Sequence, residues 1–299
     1  VLDIMLPHYG DLALLKLAVN SVLAQTDDRW QLTVLDDNPA DRAHGIPEWF
    51  ATLDHPRVKY RQNSQNLGVT GNFQQCIDLA TQPFMVIMGC DDVMLPRYVE
   101  CVHALIDAHP EAVLIQPGVE VIDESGTVVK TLVDSTKRRV YAPRFAGTTV
   151  MSGEDLAVSL LRGNWLYFPS LCWRTDEMKA VGFDPSLKVI QDLALILELV
   201  ARGGTLVADE EVCFQYRRHG SSLSASSAVT GGRFSEARKF FLGAAVRMEA
   251  HGWPRAARAA RWHLSSRIHA LTMLPSAAKQ RSGSSVRVLT RYAFGPPRT

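Results

Sequence analysis

The chain has 299 residues, 46% hydrophobic and 21% charged, fractions that exclude a disordered or low-complexity polymer and supply a sizeable core. The net charge is only +1, yet 13 basic and two acidic residues from Arg233 onward give that stretch +11 and leave −10 on the remainder. Five isolated cysteines without a C-x-x-C pair read as reduced core thiols, not as zinc ligands or a disulfide framework. No apolar run reaches the length of a membrane span and no signal peptide is visible, so a cytoplasmic protein is expected, although the chain does not begin with Met.

In chain order, Leu2–Leu6 is a short apolar run ending at Pro7 and predicts a buried strand. Leu12, Leu15, Val19, Val22 and Leu23 share one helical face, which closes near Gln25 and Thr26. Leu32–Leu35 predicts a second strand that stops at Asp36 and Asp37, and Val58–Arg61 a third. Val69, Phe73, Cys76, Ile77 and Ala80 mark another amphipathic helix, and Phe84–Met88 is a strand with Asp91 and Asp92 behind it. Pro96 is placed to open a helix that turns Val99, Val102 and Ile106 inward, and Val113–Gln116 predicts a further strand. Val119–Ile122 and Val128–Leu132 flank Ser125 and Gly126 as a hairpin, with 137–149 as a loop. Leu193–Val200 is helical and Val212–Tyr216 a last short strand. Strands alternating with helices indicate α/β layers and a largely parallel sheet.

Residues 221–232, rich in Ser, Ala and Gly, predict a linker. Phe234–Ala250 and Pro254–Leu274 predict helices, whereas the residues from Pro275 onward have too little pattern to predict an ordered element. The expected organisation is an α/β domain over 1–224 and a basic helical extension over 225–299.

In open α/β sheets, ligands gather beyond the C-terminal ends of the strands. Three polar clusters fall at such ends: Pro7-His8-Tyr9, Asp36-Asp37-Asn38 and Asp91-Asp92. Each alone also reads as turn or helix-cap chemistry; three together mark a site. Adjacent carboxylates suit a hard divalent cation, which takes one or two of them and fills its other positions with water and phosphate. Such an ion holds a diphosphate and neutralises charge as it leaves. The chain has no G-x-G-x-x-G and no G-x-x-x-x-G-K-[ST], so dinucleotide redox chemistry and P-loop hydrolysis lack their phosphate cradles.

The segments LPHYG, SVLAQT, VLDDN, NSQNLGVTGNF, MGCDDVMLP, VGFDPSL, IQDLALILELVARGG and YRRHGSSLS run in that order from about Leu2 to Ser224. Together they resemble glycosyltransferases of the GT-A fold, family 2. The resemblance implies a three-layer sandwich around a mostly parallel sheet, a UDP- or dTDP-sugar donor, a divalent metal (Mn²⁺ or Mg²⁺) and inversion at the anomeric carbon. It implies that Pro7, Tyr9 and Asp37 hold the nucleotide base, Tyr9 by stacking and Asp37 by accepting a hydrogen bond. Asn66, Gly68 and Asn72 match a loop near the nucleotide and donor sugar. Asp91 matches a ribose or sugar contact, Asp92 the metal ligand, and His219 a position that reaches metal or diphosphate. Asp192, which follows Asp92 by 100 residues, matches the general base.

This chain also departs from the family pattern. Gly89 and Cys90 precede the aspartate pair where a D-x-D is common, which leaves open whether Asp91 or Asp92 binds the metal. Gln191 stands where Glu often precedes the base, and Gly10 where Asn is common. The absence of a Q-x-x-R-W motif speaks against a processive polysaccharide synthase.

Read alone, Asp192 is a helix cap, and His219 belongs to a solvated Arg217-Arg218-His219 run. Trp165 and Tyr167, in a segment with Gly163, Asn164 and Pro169, serve equally as an acceptor platform or as core. In the basic extension Phe240, Phe241, Leu242, Val246, Trp262 and Leu264 lie among arginines, a pattern suited to an anionic membrane surface. No nucleic-acid motif accompanies it. The reading is a metal-dependent inverting glycosyltransferase, peripheral at the cell membrane, acting on a glycan or lipid-linked cell-envelope acceptor, with a homo-oligomer left open. One alternative, a sugar nucleotidyltransferase, requires a Lys- or Arg-bearing loop that Pro7–Leu12 lacks; the other, a non-catalytic sugar-nucleotide-binding module, has no need of Asp91, Asp92 and Asp192.

Overall fold

A computed structural model describes residues 1–39, 45–130, 141–143, 147–218, 232–279 and 283–295. The early apolar runs form β1 (Leu2–His8), β2 (Trp30–Asp36), β3 (Val58–Gln62) and β4 (Phe84–Ile87). Every residue of β1 and β4 is buried, because helices cover both faces of the sheet; hence their runs are continuous rather than alternating. β1 pairs in parallel with β2, from Leu2↔Trp30 to His8↔Asp36, and with β4 on its other side, while β3 pairs beyond β2. The helices α1 (Leu12–Leu23), α2 (Ile46–Leu53) and α3 (Gly68–Leu79) make the crossovers, so all four parallel strands end at one edge.

The chain continues through β5 (Val93–Met94), α4 (Tyr98–Ala108), β6 (Leu114–Ile122), β7 (Thr149–Met151), α5 (Gly153–Arg162), β8 (Cys172–Arg174), α6 (Thr175–Val181), α7 (Gln191–Ala201) and β9 (Leu206–Arg217). The sheet order is β3-β2-β1-β4-β8-β6-β9-β5, with β7 beside β9. Short β8 runs antiparallel between β4 and β6, which makes the sheet mixed. Val119–Ile122, expected as a hairpin arm, is instead the end of β6 paired to β9. The turn at Ser125-Gly126 does form, with Val129 N–H on Val121 O at 2.8 Å, and among the described residues its return arm makes a single bridge, Ile122–Val128. Most of the expected loop at 137–149 lies outside the described residues. Val212–Tyr216 is the end of the 12-residue β9.

The C-terminal region forms α8 (Gly232–Ala250), α9 (Pro254–Trp262), α10 (Leu264–Lys279) and α11 (Gly283–Phe294). The single helix expected over Pro254–Leu274 is broken at His263, whose φ of +33° is left-handed. Two other expectations are corrected here. Pro275 lies within α10 rather than ending it, and α11 is an ordered helix with Leu289, Tyr292 and Ala293 buried.

Leu2, Ile4 and Leu6 pack on one face of the sheet against Leu15, Val19 and Val22 of α1 and Tyr98, Val99 and Val102 of α4. Met5, Met85 and Ile87 point to the other face, into a cluster that runs through α3, α5 and α7 to Phe234, Phe241, Ala256 and Leu289. The helical extension therefore shares the core of the sheet's second face. The boundary expected at 224/225 falls outside the described residues. No helix among the described residues is long and apolar enough to cross a membrane.

His263 ties the C-terminal helices together. Its ring stacks on Phe241 at 5.2 Å and meets Tyr292 at 5.3 Å, and burial drives its pKa from 6.5 down to about 4. The folded state thus resists a proton that the unfolded chain accepts, so its contribution is complete above pH 6.5 and lost as pH falls toward about 4. At 1.36 kcal/mol per unit, the loss is expected to reach about 3 kcal/mol. Melting temperatures against pH should show this sensitivity in the wild type and a flatter profile in His263→Asn; matching profiles would locate the acid lability elsewhere.

Candidate active site

The parallel strand ends are joined by hydrogen bonds between their flanking residues. Asp37 N–H donates to His8 O at 2.8 Å and Gly10 N–H to Asn38 Oδ1 at 3.2 Å. Pro7 lies within β1, buried opposite Leu35. Tyr9 stands just past the strand, 56% exposed, with a ring face available for stacking. His8 is buried with neither ring nitrogen hydrogen bonded among the described residues, and burial lowers its pKa against the pull of Asp36.

Asp36 is buried and accepts the Tyr60 hydroxyl at 2.7 Å and the Asn38 amide at 2.8 Å, which makes it a support of the turn. Asp37 does more. Its Oδ1 accepts from Asn63 Nδ2 and Leu67 N–H, both at 2.8 Å, and its Oδ2 accepts Gly68 N–H at 2.9 Å. It thereby satisfies backbone donors at the start of α3 from a distant strand end. Asn66 Nδ2 donates to Asp37 O at 2.8 Å, and Asn72 accepts from Asn63 at 3.1 Å and donates to Leu35 O at 3.1 Å. Asp37, Asn66, Gly68 and Asn72 are therefore one network. Asn63, which the sequence did not single out, is its link. A carboxylate has about four lone-pair positions, so three donors leave one on Oδ2.

Beyond β4 the chain turns sharply, with Met88 N–H on Met5 O at 2.9 Å and Asp92 N–H on Gly89 O at 3.3 Å. Asp92 is 1% exposed; its Oδ1 accepts Arg217 N–H at 2.8 Å, while Oδ2 has no hydrogen-bond partner among the described residues. Asp91 is half-buried. A Cβ at Gly89 would overlap Asp92 Oδ2 and stand 3.0 Å from Asp91 Oδ1, so oxygens of both carboxylates face the same small space. Burial and the neighbouring Asp91 charge push the Asp92 pKa well above the usual carboxylate range, and Arg217 offsets this only in part.

This donor set fits a divalent cation: oxygens of two carboxylates face one space, and one of them has no hydrogen-bond partner among the described residues. No cluster of three His, Cys, Asp or Glu side chains stands together among the described residues, so diphosphate and water would complete the coordination. His219 lies outside the described residues. Gly89→Ala is expected to displace the Asp92 carboxylate and weaken metal binding by about 10–100-fold. A thermal-shift titration with Mn²⁺ measures it, and an unchanged response would remove Gly89 from the cradle.

Arg217, read from sequence only as part of a basic run, is buried and structural. Its Nε donates to Asp91 O at 2.7 Å and its Nη1 to Asp123 O at 3.0 Å and Glu124 O at 3.2 Å, while its own N–H holds Asp92.

Asp192 lies in the first turn of α7, whose N-cap is Ile190; the Ile190 side chain makes no capping bond. Glu236 of α8 holds the turn that enters this helix, accepting N–H groups of Val189 at 2.9 Å and of Ile190 at 3.1 Å. The Asp192 carboxylate accepts Asn164 Nδ2 at 3.1 Å, and Asn164 Oδ1 accepts Leu166 N–H at 3.2 Å. Asn164 thus links Asp192 to the 163–167 loop. Tyr167 of that loop meets Tyr216 at 5.3 Å, next to the Arg217 that holds Asp92.

The aromatic platform expected of Trp165 and Tyr167 is corrected. Both are buried, in the clusters on opposite faces of the sheet, and Trp165 Nε1 donates to Ser159 Oγ at 2.9 Å. Their rings support the loop and present no open face. All five cysteines are unpaired, and burial pushes the Cys90 thiol to about 12, as expected of inert thiols.

Comparison with known proteins agrees with this architecture. The family model described as "Glycosyl transferase family 2" matches residues 3–158. "Putative glycosyltransferase EpsE" of Bacillus subtilis is 28% identical over 109 residues, 36% of this chain and 39% of EpsE, so the chain spans well under two thirds of that relative. Staphylococcus aureus TarS in complex with UDP-GlcNAc superposes with a TM-score of 0.59 at 14% identity, over 99% of this chain and 92% of that one. The mannosyltransferase PcManGT of Pyrobaculum calidifontis, in complex with GDP-Man and Mn²⁺, gives 0.58 at 15% identity, over 98% and 79%. At such identities the solved structures establish the shared fold, and the family model matches more than half of the sequence: the chain belongs to glycosyl transferase family 2.

Proposed function

We propose that this chain transfers a sugar from a nucleoside-diphosphate donor, UDP- or dTDP-linked, to a hydroxyl of a glycan or lipid-linked acceptor, with inversion. The observation that carries the reading is the Gly89–Asp91–Asp92 cradle at the end of the central β4, beside the exposed Tyr9. Two proteins of the same fold hold such donors: TarS with UDP-GlcNAc, and PcManGT with GDP-Man and Mn²⁺.

Tyr9 stacks on the base, the remaining lone pair of Asp37 accepts from it, and the Asn66–Gly68–Asn72 loop lines the donor side. Asp91 and Asp92 hold the divalent cation, with His219 as a further candidate for metal or diphosphate; the bound ion supplies charge neutralisation at the diphosphate. Asp192 takes the acceptor proton while the acceptor oxygen bonds the anomeric carbon. The bond from that carbon to the phosphate oxygen breaks, and the nucleoside diphosphate leaves with the electron pair. The acceptor is reached at the membrane face through the basic C-terminal helices. The test is a product assay with a panel of nucleotide sugars and glycan acceptors. Release of nucleoside diphosphate with an inverted glycoside is expected; pyrophosphate release would make the chain a nucleotidyltransferase, and neither product a binding module.

A further inference from the structure

The C-terminal helices carry a surface that the transfer site does not use. Leu264, Ile268 and Leu271 are exposed at i, i+4 and i+7, which sets them in one stripe along α10, while Arg267 and Ala270 on its other side are buried. Trp262, 53% exposed, lies across the helix break at His263 from Leu264, which is 61% exposed. α11 folds back on α10: Ser266 Oγ and Tyr292 OH share a hydrogen bond, and Arg267 Nη1 donates to Ala293 O at 3.3 Å. That pairing places Phe294, 70% exposed, at the same end as Trp262 and Leu264. Large apolar side chains gathered at one exposed end mark a docking surface.

Charge identifies the occupant. Residues 250–299 contain nine basic and no acidic side chains. Arg258, Arg261, Arg287 and Arg291 are exposed on the helices around the stripe. A second copy meeting it with the same face would bring an equally positive surface and be repelled, whereas an anionic lipid surface neutralises it. Trp and Phe beside Arg suit the headgroup boundary, and no helix among the described residues is fit to span the bilayer.

We propose that Trp262, Leu264, Ile268 and Phe294 form a face that seats this chain on an anionic bilayer, with α10 along the interface and Arg258, Arg287 and Arg291 on lipid phosphates, while Arg255 and Arg261 pair with carboxylates of the chain itself. This gives the membrane contact of the proposed function a defined surface, and its test uses neither donor nor acceptor, so the two fail separately. The probe is co-sedimentation with phosphatidylcholine vesicles, alone or with about a third phosphatidylglycerol, at low salt. Binding is expected to the mixed vesicles only and to fall as salt rises. A Trp262→Ser, Leu264→Ser, Phe294→Ser variant should lose about tenfold or more in vesicle affinity while keeping its melting temperature and its response to Mn²⁺. Should that variant unfold, Ile268→Glu, a single change at an exposed position, should show the same loss. No binding to mixed vesicles, or equal binding by a folded variant, would overturn the assignment. So would a dimer in light scattering that the variant dissolves, which would give the face to a second copy.

Discussion

Asp192→Asn is expected to leave donor binding within about twofold of wild type and to lower transfer by about 10²–10⁴-fold, the usual contribution of a general base. Asn keeps the shape and can still offer an oxygen to Asn164 Nδ2. It cannot take up the acceptor proton. Glu236 holds the turn that enters α7 in either protein, and Asn serves about as well as Asp near a helix N-terminus, so the melting temperature should stay close to that of the wild type. Transfer at the wild-type rate would remove Asp192 from the chemistry; lost binding would make it a structural residue.

Asp92→Asn should raise the stability of the metal-free protein and abolish its response to Mn²⁺. Burial and Asp91 raise the folded-state pKa of Asp92 above its unfolded value. The folded protein therefore binds more protons than the unfolded chain, and stability falls as pH rises through that folded pKa. The buried carboxyl beside Asp91, its Oδ2 without a hydrogen-bond partner among the described residues, therefore costs stability as pH rises. The amide removes that charge and keeps an oxygen for Arg217 N–H. Each kcal/mol recovered should raise the melting temperature by about 2–4 °C in a domain of this class. Mn²⁺ should stabilise the wild type more strongly as pH rises, since an ionised carboxylate is the ligand, and leave Asp92→Asn unmoved. Equal Mn²⁺ shifts in both proteins would place the ion elsewhere.

The parallel half of the sheet was legible because burial on both faces writes strands as unbroken apolar runs, as in Leu2–Leu6 and Phe84–Met88. β9 was legible only at its end, since Asp209, Glu210 and Glu211 in its middle are polar and partly or fully exposed and look like a turn. β8 has three residues, too few for a period. α5 carried a signal that went unused: Leu156, Leu160 and Leu161 on one face after an acidic first turn. α11 was missed because proline ordinarily ends a helix, whereas Pro275 is accommodated inside α10 and the buried Leu289 and Tyr292 come later.

At the site, composition and order brought out the aspartates but not the division of labour among them. A buried acidic residue has the same letter whether it meets a ligand or backbone amides, and Asp37 holds three donors of its own protein. Asn164 was invisible as a partner of Asp192 because 28 residues separate them. Glu236 lies farther still, on a helix read as part of a separate extension. Of the two residues ahead of the aspartate pair, Gly89 has a steric account: any side chain there would collide with Asp92.

The most direct test of the cradle is calorimetric titration of UDP into the protein with Mn²⁺ and, separately, with a chelator. Binding that requires Mn²⁺ and disappears in Asp92→Asn is the expected result. Equal affinity with the chelator present, or no binding of any nucleoside diphosphate, would contradict a metal-held diphosphate between Asp91 and Asp92.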